Sequence, residues 1–155
     1  MGELPALAGL FLSALLAATV VPAQSEAVFV GLLYLGGTEP LLLLAVASLG
    51  NTLGSVVNWG LGRAVNRYRG RRWFPVPERQ LASAERWFAR YGPASLLLSW
   101  VPFIGDPLTV AAGVLRVPFL TFLAIVGFAK TARYAAVMLA TPFWTRDVSS
   151  VPTGT

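Results

Sequence analysis

Apolar positions along this chain form two blocks, separated by a polar segment that is rich in arginine. Each block begins with two shorter apolar stretches, at residues 4–21 and 28–35 in the first and at 94–101 and 108–115 in the second. Each block then ends in a longer apolar run, over residues 41 to about 61 and 119 to about 143. Both longer runs reach the roughly 20 residues that a helix needs to cross a bilayer. The pattern therefore predicts two spanning helices, each preceded by a pair of shorter apolar helices.

The two blocks match each other when the sequence is shifted by 80 residues. Pro22 then falls on Pro102, and Glu26 falls on Asp106, so that each acid follows its proline by four residues. Apolar identities are common in such a sequence, but an aligned proline and acid are not. We interpret each block as one repeat, in which a helical hairpin broken at its tip precedes a spanning helix.

The order of the stretches also predicts a topology. If the two arms of each hairpin enter and leave on one side of the membrane, a single span separates the hairpins, and repeats 4–62 and 93–143 are inverted. The predicted fold is an all-α integral membrane protein, an inverted repeat of a re-entrant helical hairpin plus a transmembrane helix. It forms one membrane domain, residues 1–145, followed by a polar tail, residues 146–155. Four to six ordinary, somewhat short helices are the alternative.

A basic segment, residues 63–92, joins the two repeats and contains an amphipathic helix. Pro77 predicts its start and Gly92 its end. One face carries Leu81, Ala84, Phe88 and Tyr91. Such a helix either lies in the membrane interface, with Trp87 and Tyr91 at head-group depth, or connects the repeats and packs on them.

Composition supports a membrane protein and excludes several kinds of site. Of the 155 residues, 55% are hydrophobic and 12% are charged, whereas a soluble domain is about a quarter charged. The absence of cysteine and histidine excludes disulfides, Cys/His zinc sites and a Ser-His-Asp triad. We therefore predict no metal and no cofactor. The acidic Glu3 and the lack of Lys or Arg before the first apolar stretch argue against a cleaved signal peptide.

Positive charge is concentrated between the repeats. Residues 63–90 contain eight arginines and two glutamates, whereas the whole chain has a net charge of +5. Between two membrane blocks, this cluster indicates a cytoplasmic loop, which places both termini outside. Anionic lipid head groups are a better partner for it than nucleic acid.

The predicted hairpin tips contain the candidate chemistry. An ionised carboxylate in hydrocarbon costs about 2.5–3.5 kcal/mol even on lenient scales, so Glu26 and Asp106 are not expected to face lipid. Each is either neutral or paired with a cation, and a carboxyl that gains and loses a proton can couple transport to an ion gradient. Alternatively, each acid only caps the start of a half-helix. The other tip residues, predicted to be structural, are Pro22, Ser25, Pro102, Gly105 and Pro107.

The longer runs add cations and amides. Lys130 and Arg133 share a helix face inside the second run, where a basic pair must bind a carboxylate or an anion. Arg116 is expected to extend towards the interface. Asn51 and Asn58 in the first run are candidates for contact with substrate or ions. They lie among small residues that favour close helix packing, namely Gly50, Gly54, Ser55 and Gly62.

Four segments resemble the YqaA branch of the DedA family, which is related to the SNARE-associated (VTT-domain) membrane proteins. They are "LAATVVPAQSEAVFVGLL", "LGNTLGSVVNWGLGR", "RYGPASLLLSWVPFIGDPLTVAAGVLRVPFLTF" and "KTARY". The resemblance covers roughly residues 10–140. It implies two re-entrant hairpins packed tip to tip in the bacterial inner membrane. It also implies movement of phosphate-bearing lipids, either undecaprenyl phosphate or phospholipids, coupled to protons or sodium.

The resemblance places the family's acid in the first hairpin on Glu26. The family's second hairpin commonly reads Arg-Phe-x-Pro-x-x-Arg, but here Ser99 and Gly105 stand where the two arginines are expected. Lys130 and Arg133 are therefore the candidate cations for a lipid phosphate. We predict a multi-pass lipid transporter and not an enzyme. The alternatives are an intramembrane hydrolase using Glu26 and Asp106, or a scaffold without transport activity. The sequence leaves open whether the protein forms a homo-oligomer.

Overall fold

The computed structural model describes residues 2–18, 24–64 and 77–142, and every regular element in them is helical. In chain order the elements are α1 (Glu3–Ala17), α2 (Gln24–Leu35), α3 (Pro40–Arg63), α4 (Glu78–Tyr91), a 3₁₀ helix (Gly92–Trp100), α5 (Gly105–Val114) and α6 (Phe119–Ala140). Pro22, the middle of the arginine-rich segment and the polar tail 146–155 lie outside the described residues.

Two of these helices are long and apolar enough to cross a membrane. They are α3, with 24 residues, and α6, with 22 residues. At about 1.5 Å per residue both exceed the roughly 30 Å of the hydrocarbon core, whereas α1, α2 and α5 do not. Pro40 is the first residue of α3, a position that suits proline because it lacks an N–H, and Pro118 is the N-cap of α6. The all-helical class and the two long helices are therefore confirmed.

The two halves of the chain correspond only in part. When the chain is shifted by 80 residues, α2 falls on α5 and α3 falls on α6. However, α1 falls on the end of α4 and on the 3₁₀ helix. The second half thus has a nine-residue 3₁₀ helix where the first half has an α-helix. Such a long 3₁₀ segment is uncommon.

The buried side chains form two apolar clusters. One lies among α1, α2, α3 and α6 and is centred on Leu10, Phe29, Leu43 and Tyr134. The other lies among α4, α5, α6 and the 3₁₀ helix, with Leu81, Phe88, Leu96, Leu108 and Phe122. Since α6 contributes to both clusters, it connects the two halves, and the candidate cations lie on this helix.

The small residues of α3 allow its neighbours to approach closely. A Cβ atom on Gly54 would lie 2.5 Å from the carbonyl oxygen of Leu15 and 2.6 Å from Cβ of Ala18. At the C-terminal end of the helix, Gly62 and Gly113 of α5 face each other, and a Cβ on either would overlap the opposite backbone. The predicted packing role of this glycine row is therefore seen in the middle and at the C-terminal end of α3.

Gly54→Ala is expected to lower the free energy of unfolding by about 1–3 kcal/mol, because α1 must move to make room. The matched control is Gly60→Ala on the same helix, where a Cβ would meet nothing within 4 Å. That change should be neutral or slightly stabilising, since alanine favours a helix over glycine. Thermal unfolding in detergent measures both variants, and equal stability of the two would contradict the close packing.

Helix α4 is packed on the second half of the chain. Pro77 is the N-cap, so the helix begins at Glu78, one residue later than predicted, and Gly92 ends it with a positive φ of 62°. Leu81, Ala84 and Phe88 are buried against α5 and the 3₁₀ helix. Tyr91, which the pattern placed on the same face, is 50% exposed because the helix ends there.

Candidate functional site

One turn of α6 carries two cations, and each pairs with an acid from a different short helix. Arg133 donates from Nε to Oε1 of Glu26 at 2.5 Å. Lys130, which is only 2% exposed, has its Nζ 3.5 Å from Oδ1 of Asp106. The sequence left it open whether these cations meet carboxylates or a substrate anion, and the structure brings both acids to them.

Both acids lie in the first turn of their helices, Glu26 in α2 and Asp106 in α5. A carboxylate there interacts favourably with the helix dipole, as expected for a capping acid. However, within residues 2–18, 24–64 and 77–142, α5 has no side-chain hydrogen bond at its N-cap and Asp106 Oδ1 has no hydrogen-bond partner. Its main partner is therefore the Lys130 ammonium group, and capping alone does not describe it.

A buried chain of hydrogen bonds lies next to the Glu26–Arg133 pair. Tyr134 donates from its hydroxyl to Oγ of Ser25 at 2.8 Å, and it accepts from Nδ2 of Asn51 at 3.2 Å. All three side chains are buried. Thus α2, α3 and α6 are joined by polar contacts where the charged pair forms, and these contacts fix the position of Glu26.

Tyr134→Phe should lower the free energy of unfolding by about 1–2 kcal/mol, because it leaves two buried polar groups without their partner. The control is Tyr91→Phe, which removes a hydroxyl from a half-exposed ring. Thermal unfolding in detergent compares them. Equal melting temperatures for Tyr134→Phe and the parent protein would show that the chain of hydrogen bonds does not stabilise the contact of α2 and α3 with α6.

The second candidate amide holds the end of α1. Asn58 donates from Nδ2 to the carbonyl oxygen of Ala18 at 2.7 Å, at the point where α1 ends. This bond satisfies a carbonyl that a broken helix would otherwise leave without a partner. The carboxamide oxygens of Asn51 and Asn58 are both buried, and no hydrogen-bond partner for them lies in the described part of the chain.

The turn before α5 is tightly built. Gly105 packs so closely on the carbonyl oxygen of Ser99 that no side chain fits there. Phe103 has a positive φ of 66°, an unusual conformation for a bulky residue, and its ring is exposed. Pro102 is exposed in the same turn, whereas Pro107 is buried in the first turn of α5. Of the residues predicted to be structural here, Gly105 and Pro107 thus lie in the first turn of α5, and Pro102 lies in the turn before it.

An apolar cavity opens beside the Arg133 guanidinium. It has a volume of about 360 Å³ and lies between the 3₁₀ helix and α6. Its walls include Leu97, Trp100 and Phe128, and Arg133 is its charged residue. Lys130 does not line it. The two cations therefore differ, because among the described residues Arg133 lines this apolar space and Lys130 does not.

Some contacts were not predicted. Trp59 of α3 donates from Nε1 to the carbonyl oxygen of Val117 at 3.3 Å, and the Arg63 guanidinium lies 4.4 Å from its ring centroid. The four-residue spacing of Trp59 and Arg63 could have indicated the contact between their side chains, because residues four apart are neighbours on a helix. Arg116 is exposed, in the turn after α5. In the part of the chain that the structure describes, no group of His, Cys, Asp or Glu could hold a metal ion.

The VTT domain matches residues 21–143. The chain is 38% identical over 141 residues to inner membrane protein YqaA of Escherichia coli. The aligned region covers 91% of this chain and 94% of that protein. An uncharacterized protein of Haemophilus influenzae is 39% identical over 142 residues, 86% of this chain and 87% of its own length. No solved structure matches significantly.

Proposed function

Since the chain belongs to the VTT-domain (DedA) family of membrane proteins, which is often linked to transport, we propose that it moves phosphate-bearing lipids between the leaflets of a bilayer. The substrate class is undecaprenyl phosphate or a phospholipid, and the driving ion is a proton or sodium. The relative from Escherichia coli is named an inner membrane protein. We place this chain in the same membrane as a multi-pass protein.

The convergence of α2 and α5 on one turn of α6 carries this proposal. Glu26 and Asp106 start two short helices, and they pair with Arg133 and Lys130 on a helix that is long enough to span. Cations inside such a helix are costly unless an anion binds them. A phosphate can take the place of a carboxylate on a guanidinium, because both bind it through paired oxygens.

The proposed transport step is an exchange on Arg133. The lipid phosphate displaces Glu26, and the apolar cavity beside Arg133 receives the first part of the lipid chain. The released Glu26 carboxylate then binds a proton or sodium ion, which keeps the local charge balanced. When the ion leaves, Glu26 returns to Arg133 and expels the phosphate. Substrate movement and ion movement are coupled because the phosphate holds Arg133 only while the ion holds Glu26.

The proposed membrane arrangement explains how such polar groups are tolerated. Helices α1 and α2 form one re-entrant hairpin, and the 3₁₀ helix and α5 form the other, with α3 and α6 as the inverted spans. The irregular backbone at each tip then faces protein or a water-filled cavity and not the bulk lipid of the bilayer. Asn51 and Asn58 present their carboxamide oxygens to this interior.

Reconstitution in liposomes tests the proposal. We expect the purified protein to move fluorescent polyprenyl phosphate or phospholipid between leaflets, faster than empty liposomes and with the lipid recovered intact. An imposed pH or sodium gradient should change the rate, and the effective gradient identifies the coupling ion. Recovery of a cleaved lipid would instead indicate an enzyme, and no movement of any phosphate-bearing lipid would support a scaffold.

A further inference from the structure

The outer face of α4 forms a small cationic cleft that the proposed transport step does not use. The cleft has a volume of about 300 Å³ and is lined by Ser83, Arg86, Trp87, Arg90 and Tyr91. Arg86 donates from Nη2 to Oγ of Ser83 at 2.9 Å, and the Arg90 guanidinium lies 5.6 Å from the Tyr91 ring centroid. Among the described residues, neither arginine forms an ion pair with a carboxylate.

A second cavity continues from this cleft under α4. It has a volume of about 410 Å³, and Ser83 and Trp87 line it as well, so the two spaces adjoin. Its other walls are mostly apolar and include Leu98, Phe103 and Ile104. Phe103 and Ile104 are 73% and 52% exposed, which leaves a considerable apolar surface at the turn before α5.

We propose that this seam between α4 and the turn before α5 binds an anionic glycerophospholipid as a resident ligand. The lipid phosphate lies between Arg86 and Arg90, and one acyl chain occupies the apolar cavity beneath Trp87. A cationic end that adjoins an apolar end matches the two parts of such a lipid. The bound lipid covers Phe103 and Ile104.

The charge of the lining indicates an anionic lipid and not a zwitterionic one. Arg86 and Arg90 line the cleft and Arg79 lines the adjoining cavity, and none of the described lining residues is acidic. Each basic residue near a membrane surface contributes about 1 kcal/mol towards anionic lipid. Trp87 and Tyr91, whose ring centroids are 5.2 Å apart, are of the residue types that prefer head-group depth. This site is separate from Arg133 on α6, so the lipid held here is not the transported one.

The test uses the full chain, delipidated in a mild detergent, and its thermal unfolding with added ligand. Phosphatidylglycerol should raise the melting temperature in a saturable way. Phosphatidylcholine should give a smaller shift, and glycerol phosphate, which has the head group without the chains, should give none. If glycerol phosphate stabilised the protein as well as phosphatidylglycerol did, the site would be a simple anion site and the proposal would be wrong.

Paired variants separate the site from general charge. Arg86→Gln with Arg90→Gln should weaken the binding of phosphatidylglycerol at least about tenfold. Arg63→Gln with Arg116→Gln also removes two positive charges, but at positions outside the seam. This control should bind phosphatidylglycerol within about twofold of the parent protein. Equal weakening in the two double variants would overturn the proposal. Because Arg86, Arg90 and Arg116 are exposed, folding is expected to persist, and circular dichroism checks it.

Discussion

Replacing Glu26 with glutamine is expected to reduce lipid-phosphate translocation about 10- to 100-fold while the protein stays folded. Glutamine keeps the shape of the side chain but not its charge, so it cannot balance Arg133 when the phosphate leaves. It also cannot take up a proton, so any remaining movement should no longer respond to a pH gradient. The liposome assay measures both the rate and its dependence on the gradient.

Two further variants show whether this effect belongs to the pair. Glu39→Gln removes an exposed carboxylate just before α3 and should transport normally. Arg133→Lys keeps the charge but loses the paired donors of the guanidinium, so it should weaken transport without abolishing it. Normal, gradient-dependent transport by Glu26→Gln would show that the contact with Arg133 only holds α2 in place.

Much of the helical framework could be predicted because it follows from local sequence. The apolar runs give the length of α3 and α6, and prolines mark where both begin. Residues Pro77 and Gly92 mark the ends of α4 to within a position. These signals depend on backbone chemistry within a few residues, which a single sequence displays directly.

The 3₁₀ helix could not be predicted in the same way. The two forms turn by about 120° and 100° per residue, so a few buried positions in a short segment can share one face in both. Its buried residues, Ser95, Leu96 and Ser99, fit either form. The choice depends on packing against α5 and α6, including the close approach of Gly105 to Ser99, and this tertiary contact is absent from the local pattern.

The candidate site was predicted as a set of groups but not as a set of contacts. The cost of charge in a membrane singled out Glu26, Asp106, Lys130 and Arg133. Which acid meets which cation depends on how α2 and α5 dock on α6, and no spacing in the sequence specifies this. The role of Tyr134 between Ser25 and Asn51 was missed for the same reason, since its partners lie 109 and 83 residues away.

The Asp106–Lys130 pair should contribute more to stability than to substrate binding. Lys130 is 2% exposed and lies outside the cavity that Arg133 lines. Asp106→Asn leaves the ammonium group of Lys130 buried without a counter-charge. This should lower the free energy of unfolding by about 3 kcal/mol. Thermal unfolding in detergent measures the loss. A smaller effect of Glu26→Gln is expected, because the Arg133 side of the site is more open.

The double variant Asp106→Leu with Lys130→Met completes the argument, because it removes both charges and keeps apolar volume in their place. Replacing a buried ion pair by apolar side chains is often neutral or stabilising, so the double variant should recover most of the roughly 3 kcal/mol lost in Asp106→Asn. If Lys130 only anchors α5 on α6, transport should recover with stability. If Asp106 also titrates during transport, the double variant should be stable but should lose its response to the ion gradient. A double variant no more stable than Asp106→Asn would show that the two charges are not coupled.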